Sequence, residues 1–213
     1  MELVDLNYKQ SSQFFNLIKF FPKNNKYLII LMGFPATGKS TIAKYLNSQY
    51  LYKIFRTDLI RKEVYSSKDL YKRNSVSDRN KIYQIMVKYA ENFLKTTEWK
   101  ESRGIIFDGT FIIDQFRNYA FNFANNHNLN VVILHTVCEE QAAIKRIHKR
   151  TKNNYESNAL HDKAYFDNKK LFSPICFTEI KQDYPHTMFS YFKIETTSTQ
   201  GPQYNKIIEK LYY

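Results

Sequence analysis

The stretch from residue 33 to 41, GFPATGKST, is the feature that most constrains the fold of this chain. It matches the pattern G-x-x-x-x-G-K-[ST]. An apolar run at 28–32 precedes it, and apolar residues at helical spacing follow it, at Ile42, Ala43 and Leu46. A glycine-containing loop between a buried strand and a helix is typical of a P-loop, whose backbone N–H groups surround a phosphate chain. We therefore predict a nucleotide-binding P-loop.

The residues of this loop have expected roles in binding a nucleotide and its metal. The expected binding positions are Gly33, Phe34, Pro35, Ala36, Thr37, Gly38, Lys39, Ser40 and Thr41. Lys39 supplies a positive charge for the outer phosphates, and the Ser40 hydroxyl is a predicted Mg²⁺ ligand. A chance match is the alternative. It is disfavoured because the chain has only five glycines, two of which are in this loop.

The remaining pattern predicts an α/β sheet of five parallel strands with right-handed crossovers. Helices are expected between strands at 28–32, 52–55, 104–108, 130–137 and 188–194. The polar stretch 68–79 is predicted to be a loop, and 204–213 a closing helix. Residues 5–21 are expected to form an amphipathic helix. We therefore divide the chain into a helical extension at 1–26 and a P-loop domain at 27–213.

Two charged residues follow the second predicted strand. Asp58 and Arg61 are one turn apart if a helix begins there. Two explanations are open: Asp58 caps the helix and pairs with Arg61, or both residues bind substrate at the carboxyl edge of the sheet. At the end of the third predicted strand, Asp108 is a candidate second Mg²⁺ ligand, like a Walker B aspartate.

A basic cluster ends the helix that we predict at 139–150. It has five basic groups in six positions, counting the histidine: Lys145, Arg146, His148, Lys149 and Arg150. A helix C-terminus favours cations, but this is more than a cap requires. With the polar loop that follows, the cluster predicts a basic lid at about 146–160. The net charge of +12 predicts an anionic partner such as a nucleotide, a phosphorylated metabolite or nucleic acid, unless it only makes the surface soluble.

The composition predicts a globular, cytoplasmic protein. Hydrophobic residues make up 43% of the chain and aromatic residues 16%, which suffices for a packed core. No apolar run approaches the roughly 18–20 residues of a membrane span, and the first residues lack the apolar core of a signal peptide. The lack of a long apolar run predicts no membrane association. Cys138 and Cys176 are far apart and have no metal-ligand spacing, which favours a reducing compartment.

Four stretches together resemble the polynucleotide-kinase-like P-loop kinases, an AAA-type group with many small bacterial members. They are GFPATGKST at 33–41, TDLIR at 57–61, IFDGTF at 106–111 and RIHKR at 146–150. The resemblance extends from about residue 27 to 194. It implies a three-layer, nucleoside-kinase-like P-loop NTPase fold that uses ATP and Mg²⁺. The chain departs from the family at Ala36, where many members have glycine, and at Gly109, where alanine or threonine is usual.

The resemblance also implies the roles of individual residues. Asp58 would deprotonate the hydroxyl of an acceptor, and Arg61 would bind an anionic group of that acceptor. Arg150 would bridge the nucleotide phosphates, with Arg146 one turn earlier. The expected catalytic residues are therefore Lys39, Asp58 and Arg150.

The expected reaction is transfer of the γ-phosphate of ATP to a hydroxyl, on a polynucleotide 5′ end or on a small molecule. A nucleotide-dependent switch protein with slow ATP hydrolysis is the alternative, and it would have no need of an acceptor base. The net charge favours a nucleic acid acceptor, but the sequence contains no recognisable nucleic-acid-binding module.

Overall fold

The computed structural model describes residues 25–65, 73–150, 157–197 and 206–212. The helix predicted at 5–21 lies outside these residues. The elements in chain order are β1 (Tyr27–Met32), α1 (Lys39–Tyr50), β2 (Tyr52–Arg56), α2 (Thr57–Val64), α3 (Val76–Leu94), α4 (Thr97–Glu101), β3 (Gly104–Asp108), α5 (Asp114–Asn126), β4 (Asn130–Val137), α6 (Glu140–His148), α7 (Asp162–Lys170), α8 (Phe177–Asp183), β5 (Phe189–Glu195) and β6 (Lys206–Tyr212). Over the described ranges, no helix is both long enough and apolar enough to cross a lipid bilayer.

The strands form one sheet in the order β2-β3-β1-β4-β5-β6. β1 to β5 pair in parallel, whereas β6 runs antiparallel to β5. The central strand β1 is buried on both faces. Leu28 and Ile30 pack into one core with α3 and α5, while Ile29 and Leu31 pack into another with α1. These two cores create three layers, so the predicted α/β class is confirmed.

The C-terminal segment differs from its prediction. The closing helix expected at 204–213 is wrong, because residues 206–212 form β6, and the described residues contribute six strands to the sheet rather than five. β6 pairs along the edge of β5, and the Lys193 ammonium lies 3.5 Å from the Glu209 carboxylate across the pair. Pairing satisfies the backbone groups along the edge of β5, and this tertiary gain outweighs the local helical pattern.

Helix α3 begins inside the stretch 68–79 that we predicted to be a loop. The described part of that stretch becomes helical at Val76 because Ser75 and Asp78 form a capping box. The Ser75 hydroxyl accepts a hydrogen bond from the Asp78 N–H at 3.1 Å, and the Asp78 carboxylate accepts one from the Ser75 N–H at 3.2 Å. The S-x-x-D spacing was the sequence signal for this start.

A buried arginine on α5 connects the segment after β3 to the segment between α7 and α8. The Arg117 guanidinium donates hydrogen bonds to the carbonyl oxygens of Phe111 and Ser173, both at 3.0 Å, and of Pro174 at 3.2 Å. It also pairs with Asp114. Burial lowers the pKa of Arg117 to about 10, so the group stays charged at neutral pH.

We expect Arg117→Met to lower the free energy of unfolding by about 2–4 kcal/mol, because three carbonyl oxygens lose their donor in a buried place. Urea unfolding followed by circular dichroism measures this change. Lys53→Met is the matched control, since Lys53 is partly exposed and pairs with exposed Glu98. It should change stability by less than about 0.5 kcal/mol. Equal midpoints for the two variants would contradict the role of Arg117 as an anchor.

Candidate active site

The loop between β1 and α1 has the backbone geometry that an anion-binding loop requires. Gly33 has φ 141°, and a Cβ at this position would lie 2.4 Å from the Thr136 carbonyl oxygen, so only glycine fits. Gly38 has φ 91° and stands directly before α1, which begins at Lys39. The predicted order of strand, glycine-containing loop and helix is therefore present, and the loop meets the positive end of the helix dipole.

Threonines at the ends of neighbouring strands hold this loop in place. The hydroxyl oxygens of Thr37 and Thr136 are 2.7 Å apart, and Thr136 also donates to the Met32 carbonyl oxygen at 3.2 Å. The Thr196 hydroxyl, just after β5, donates to the Thr37 carbonyl oxygen at 2.8 Å. Sequence reasoning did not identify Thr136 or Thr196. These bonds fix the loop before any ligand arrives, which reduces the ordering cost of binding.

The Lys39 ammonium lies folded against the loop, where it donates to the carbonyl oxygens of Gly33 at 2.9 Å and Phe34 at 2.6 Å. Burial lowers the pKa of Lys39 to about 8, while the negative charge of Asp108 acts in the opposite direction. A buried ammonium with a pKa this near neutrality is poorly solvated. It therefore gains from an anion that replaces the lost water.

Asp108 ends β3 and is buried beside the loop. Burial raises the pKa of its carboxyl, and the charges of Arg56 and Lys39 and a hydrogen bond with Ser40 oppose that rise. The structure thus brings together the two predicted Mg²⁺ ligands, Ser40 and Asp108. Their oxygen atoms are of the type that Mg²⁺ prefers. No cluster of three or more His, Cys, Asp or Glu exists in the described part of the chain, and the binding of Mg²⁺ by these two residues stays a prediction.

Arg56 is a residue of this site that sequence reasoning missed. It ends β2 opposite Asp108 in the sheet register, and its Nε donates to the Asp108 carboxylate at 2.9 Å. Both side chains are buried. A signal existed, because a charged residue at the end of one parallel strand meets the end of the next strand at the same sheet edge.

Asp58 and Arg61 do not form the cap and ion pair that one of the two explanations required. Helix α2 has no side-chain cap, and the Asp58 carboxylate instead accepts a hydrogen bond from the Asn158 amide at 3.0 Å. Arg61 is buried and donates to the Arg73 carbonyl oxygen. The explanation as a cap with an ion pair is therefore wrong. Sequence reasoning missed Asn158, and no spacing could reveal it, since it lies 100 residues from Asp58.

The two predicted lid arginines have different surroundings. Arg150 donates to the Ser157 hydroxyl at 3.1 Å and the Ala159 carbonyl oxygen at 3.0 Å, and its charge helps lower the pKa of Lys39. Arg146 instead donates to the Ala36 carbonyl oxygen at 3.2 Å, so it braces the loop from outside. Residues 151–156 of the predicted lid lie outside the described residues, so the lid stays a prediction.

Comparison with known proteins gives a family and a fold. The family model AAA_33, described as an AAA domain, matches residues 28–175. A sugar kinase from Janibacter sp. HTCC2649 has a similar structure, with a TM-score of 0.55 and 13% identity over 84% of this chain and 88% of that chain. A gluconokinase from Sinorhizobium meliloti 1021 gives a TM-score of 0.50 and 13% identity over 81% of this chain and 83% of that chain. No curated protein matches the sequence.

Ala36 has φ 65°, a left-handed conformation that costs an L-residue about 1 kcal/mol. We expect Ala36→Gly to keep the free energy of unfolding within about 1 kcal/mol of the wild type, because relief of this strain offsets the greater freedom of glycine when unfolded. Ala43→Gly, in the buried interior of α1, is the matched control and should lower stability by about 1 kcal/mol or more. Urea unfolding compares them, and equal losses would contradict the left-handed geometry.

Because the pKa of Lys39 is lowered to about 8, we expect the capture of ATP to weaken at alkaline pH. The kcat/KM for ATP should fall above about pH 8, approaching tenfold per pH unit, because phosphate binding needs the charged ammonium. The fall in kcat should come at higher pH, since bound phosphate raises the pKa of Lys39. Initial rates between about pH 6.5 and 9.5 measure both profiles.

Loss of the folded state on deprotonation of Lys39 would not explain a fall in kcat/KM above about pH 8. Its pKa lies below the ordinary value of 10.5, so its contribution to stability rises with pH between about 8 and 10.5 as the buried charge is lost. Lys62→Met, an exposed lysine on α2, is the control and should retain the wild-type profile. A wild-type kcat/KM that is flat across this range would show that Lys39 does not control ATP capture.

Proposed function

The chain belongs to the AAA domain family, and from this premise we propose that it is an ATP-dependent kinase that transfers the γ-phosphate to a hydroxyl of an acceptor. One observation carries the proposal. The Asp58 carboxylate is not used as a helix cap or in an ion pair with Arg61, and it lies close enough to Lys39 for its charge to raise the pKa of that lysine. A carboxylate beside a phosphate-binding loop suits an acceptor base. Two solved structures with this fold are kinases, which supports the same reading.

The site would stabilise a transferring phosphoryl group mainly by position and charge. Lys39 would leave the loop carbonyls and bind the outer phosphates of ATP, while the loop N–H groups hold the rest of the chain. Arg150 lies close enough to Lys39 for its charge to lower the pKa of that lysine. It would neutralise the negative charge that develops on the phosphate oxygens during transfer. Mg²⁺ held by Ser40 and Asp108 would supply further positive charge at the phosphates. Arg56 would keep Asp108 oriented.

Asp58 would accept the proton of the attacking hydroxyl as the hydroxyl oxygen bonds to the γ-phosphorus and the bond from that phosphorus to the bridging oxygen breaks, which releases ADP. The hydrogen bond from Asn158 fixes the orientation of the carboxylate without neutralising it, because an amide donor carries no charge. Proton transfer late in the reaction does not need a strongly basic carboxylate. Asn158 is thus a positioning residue, which acts through Asp58.

We expect Asp58→Asn to reduce acceptor phosphorylation by about 10²–10⁴-fold, because the amide cannot take a proton. The dissociation constant for ATP should change little. The assay follows labelled γ-phosphate from ATP into a panel of sugars, nucleosides and oligonucleotides with a free 5′-hydroxyl. Glu63→Gln is the matched control: it makes the same chemical change on α2, at an exposed residue hydrogen-bonded to Tyr89, and should leave transfer unchanged.

Two results would contradict the proposal. Full transfer by Asp58→Asn would remove this residue from the chemistry. A wild-type protein that hydrolyses ATP slowly and labels no acceptor in the panel would favour a nucleotide-dependent switch. If only the oligonucleotides are labelled, the positive net charge of the protein serves to bind a nucleic acid acceptor. If only the small molecules are labelled, the net charge has no such role.

A further inference from the structure

Arg79 on α3 is a buried cation whose partners among the described residues are neutral. Its side chain is 6% exposed, and its Nη2 donates to the Thr110 hydroxyl at 2.8 Å and the Asn168 side-chain oxygen at 3.0 Å. The Phe116 ring lies 5.0 Å from its guanidinium carbon. Within the described ranges no carboxylate pairs with Arg79, although Asp78 beside it in sequence pairs with Arg73. A guanidinium buried in this way has lost water without gaining a counter-charge.

A second buried arginine, Arg61, lies near Arg79. Arg61 is 7% exposed, and the one partner described for its guanidinium is the Arg73 carbonyl oxygen, at the start of the segment leading into α3. Burial lowers the pKa of Arg79, and the nearby charge of Arg61 lowers it further. Two like charges in a poorly solvated place repel each other, so the pair favours an anion between them.

Both arginines border the region of the proposed acceptor base. Arg61 is one turn after Asp58 on α2. Arg79 reaches Thr110, next to Gly109, where an added Cβ would lie 3.0 Å from both the Thr57 methyl group and the Tyr83 hydroxyl. The start of α2, the segment after β3 and α3 therefore converge at one place.

Resting on the proposed function, we propose that Arg79 acts with Arg61 to bind an anionic group, a phosphate or a carboxylate, that the acceptor carries in addition to its reactive hydroxyl. The acceptor class is then a hydroxyl compound with its own negative charge, rather than a neutral sugar or nucleoside. A planar guanidinium suits both anions, because its N–H groups match two oxygen atoms at once. Neutral Thr110 and Asn168 orient Arg79 without cancelling its charge.

Arg117 shows that burial of an arginine does not by itself indicate an anion site here. Its guanidinium has three carbonyl oxygens and the Asp114 carboxylate as partners, so its hydrogen-bonding capacity is largely used within the fold. Arg79 instead has neutral side-chain oxygens as partners, on Thr110, Asn168 and Tyr83, and a neighbouring cation. This difference in partners is the basis of the inference.

The first experiment measures anion binding without needing a known acceptor. The P-loop is filled with Mg²⁺ and a non-hydrolysable ATP analogue, and inorganic phosphate or acetate is titrated calorimetrically. We expect the wild type to bind at least one of them and Arg79→Met to bind it about 10–100-fold more weakly. Arg79→Lys, which keeps the charge, should lose less. Lys169→Met, which removes an exposed lysine paired with Glu140 at 2.8 Å, should match the wild type.

The second experiment measures KM for paired acceptors: a nucleoside 3′-phosphate against the nucleoside, and a sugar acid against the neutral sugar. Arg79→Met should raise KM about 10–100-fold for the charged member that the wild type prefers. The preferred pair distinguishes phosphate from carboxylate. A cooperative thermal unfolding transition confirms that each variant is folded. If Arg79→Met does not fold, the same KM values are measured with Arg79→Lys.

The outcomes separate the two proposals. If neither anion binds the wild type, or if Arg79→Met binds as tightly as the wild type, the anion site is wrong. If the wild type transfers phosphate with the same KM as Arg79→Met, the kinase proposal stands and this inference fails. If phosphate binds through Arg79 but no acceptor is labelled, the anion site stands and the kinase proposal fails.

Discussion

Buried positive charge that exceeds buried negative charge is the constraint on which this site depends. Four cationic side chains are buried at one end of the sheet: Lys39, Arg56, Arg61 and Arg79. Among the described residues, the carboxylate buried at that end is Asp108. Arg56 pairs with that carboxylate, and the lowered pKa of Lys39 records the cost of burial. Such an arrangement lacks negative charge until anions arrive, so it suits phosphate-bearing ligands.

The two-sided core around β1 is what allows this charge to remain in place. Apolar residues fill both faces of the strand, and the free energy of burying them offsets the desolvation of the cations at its carboxyl end. The threonine hydroxyls behind the P-loop add rigidity without adding charge. The site is therefore fixed by the surrounding fold, and its ligands need only supply the negative charge.

The sequence predicted those parts of the candidate site that depend on a short contiguous stretch of residues. The glycine-containing loop before α1 and the strand that ends at Asp108 were predicted, because a contiguous pattern or an apolar run defines them, whereas the roles of Ser40 and Asp108 in binding Mg²⁺ stay predictions. Asn158 and Arg79 were not predicted, because their roles depend on contacts between distant segments. The alternation of strands and helices was also predicted, whereas β6 was not. Its conformation depends on an available sheet edge rather than on its own residues.

The position of β6 has a consequence for how copies of the protein meet. Without this strand, the edge of β5 would present a row of unpaired N–H and C=O groups, which is a template for intermolecular sheet growth. β6 replaces that edge with one that carries exposed Lys206, Glu209 and Lys210. Charged side chains on an edge strand disfavour the pairing of a further strand from another copy of the protein. Ile208 and Tyr212 are also exposed on β6, so it is the three charged side chains that oppose pairing of another copy at this edge.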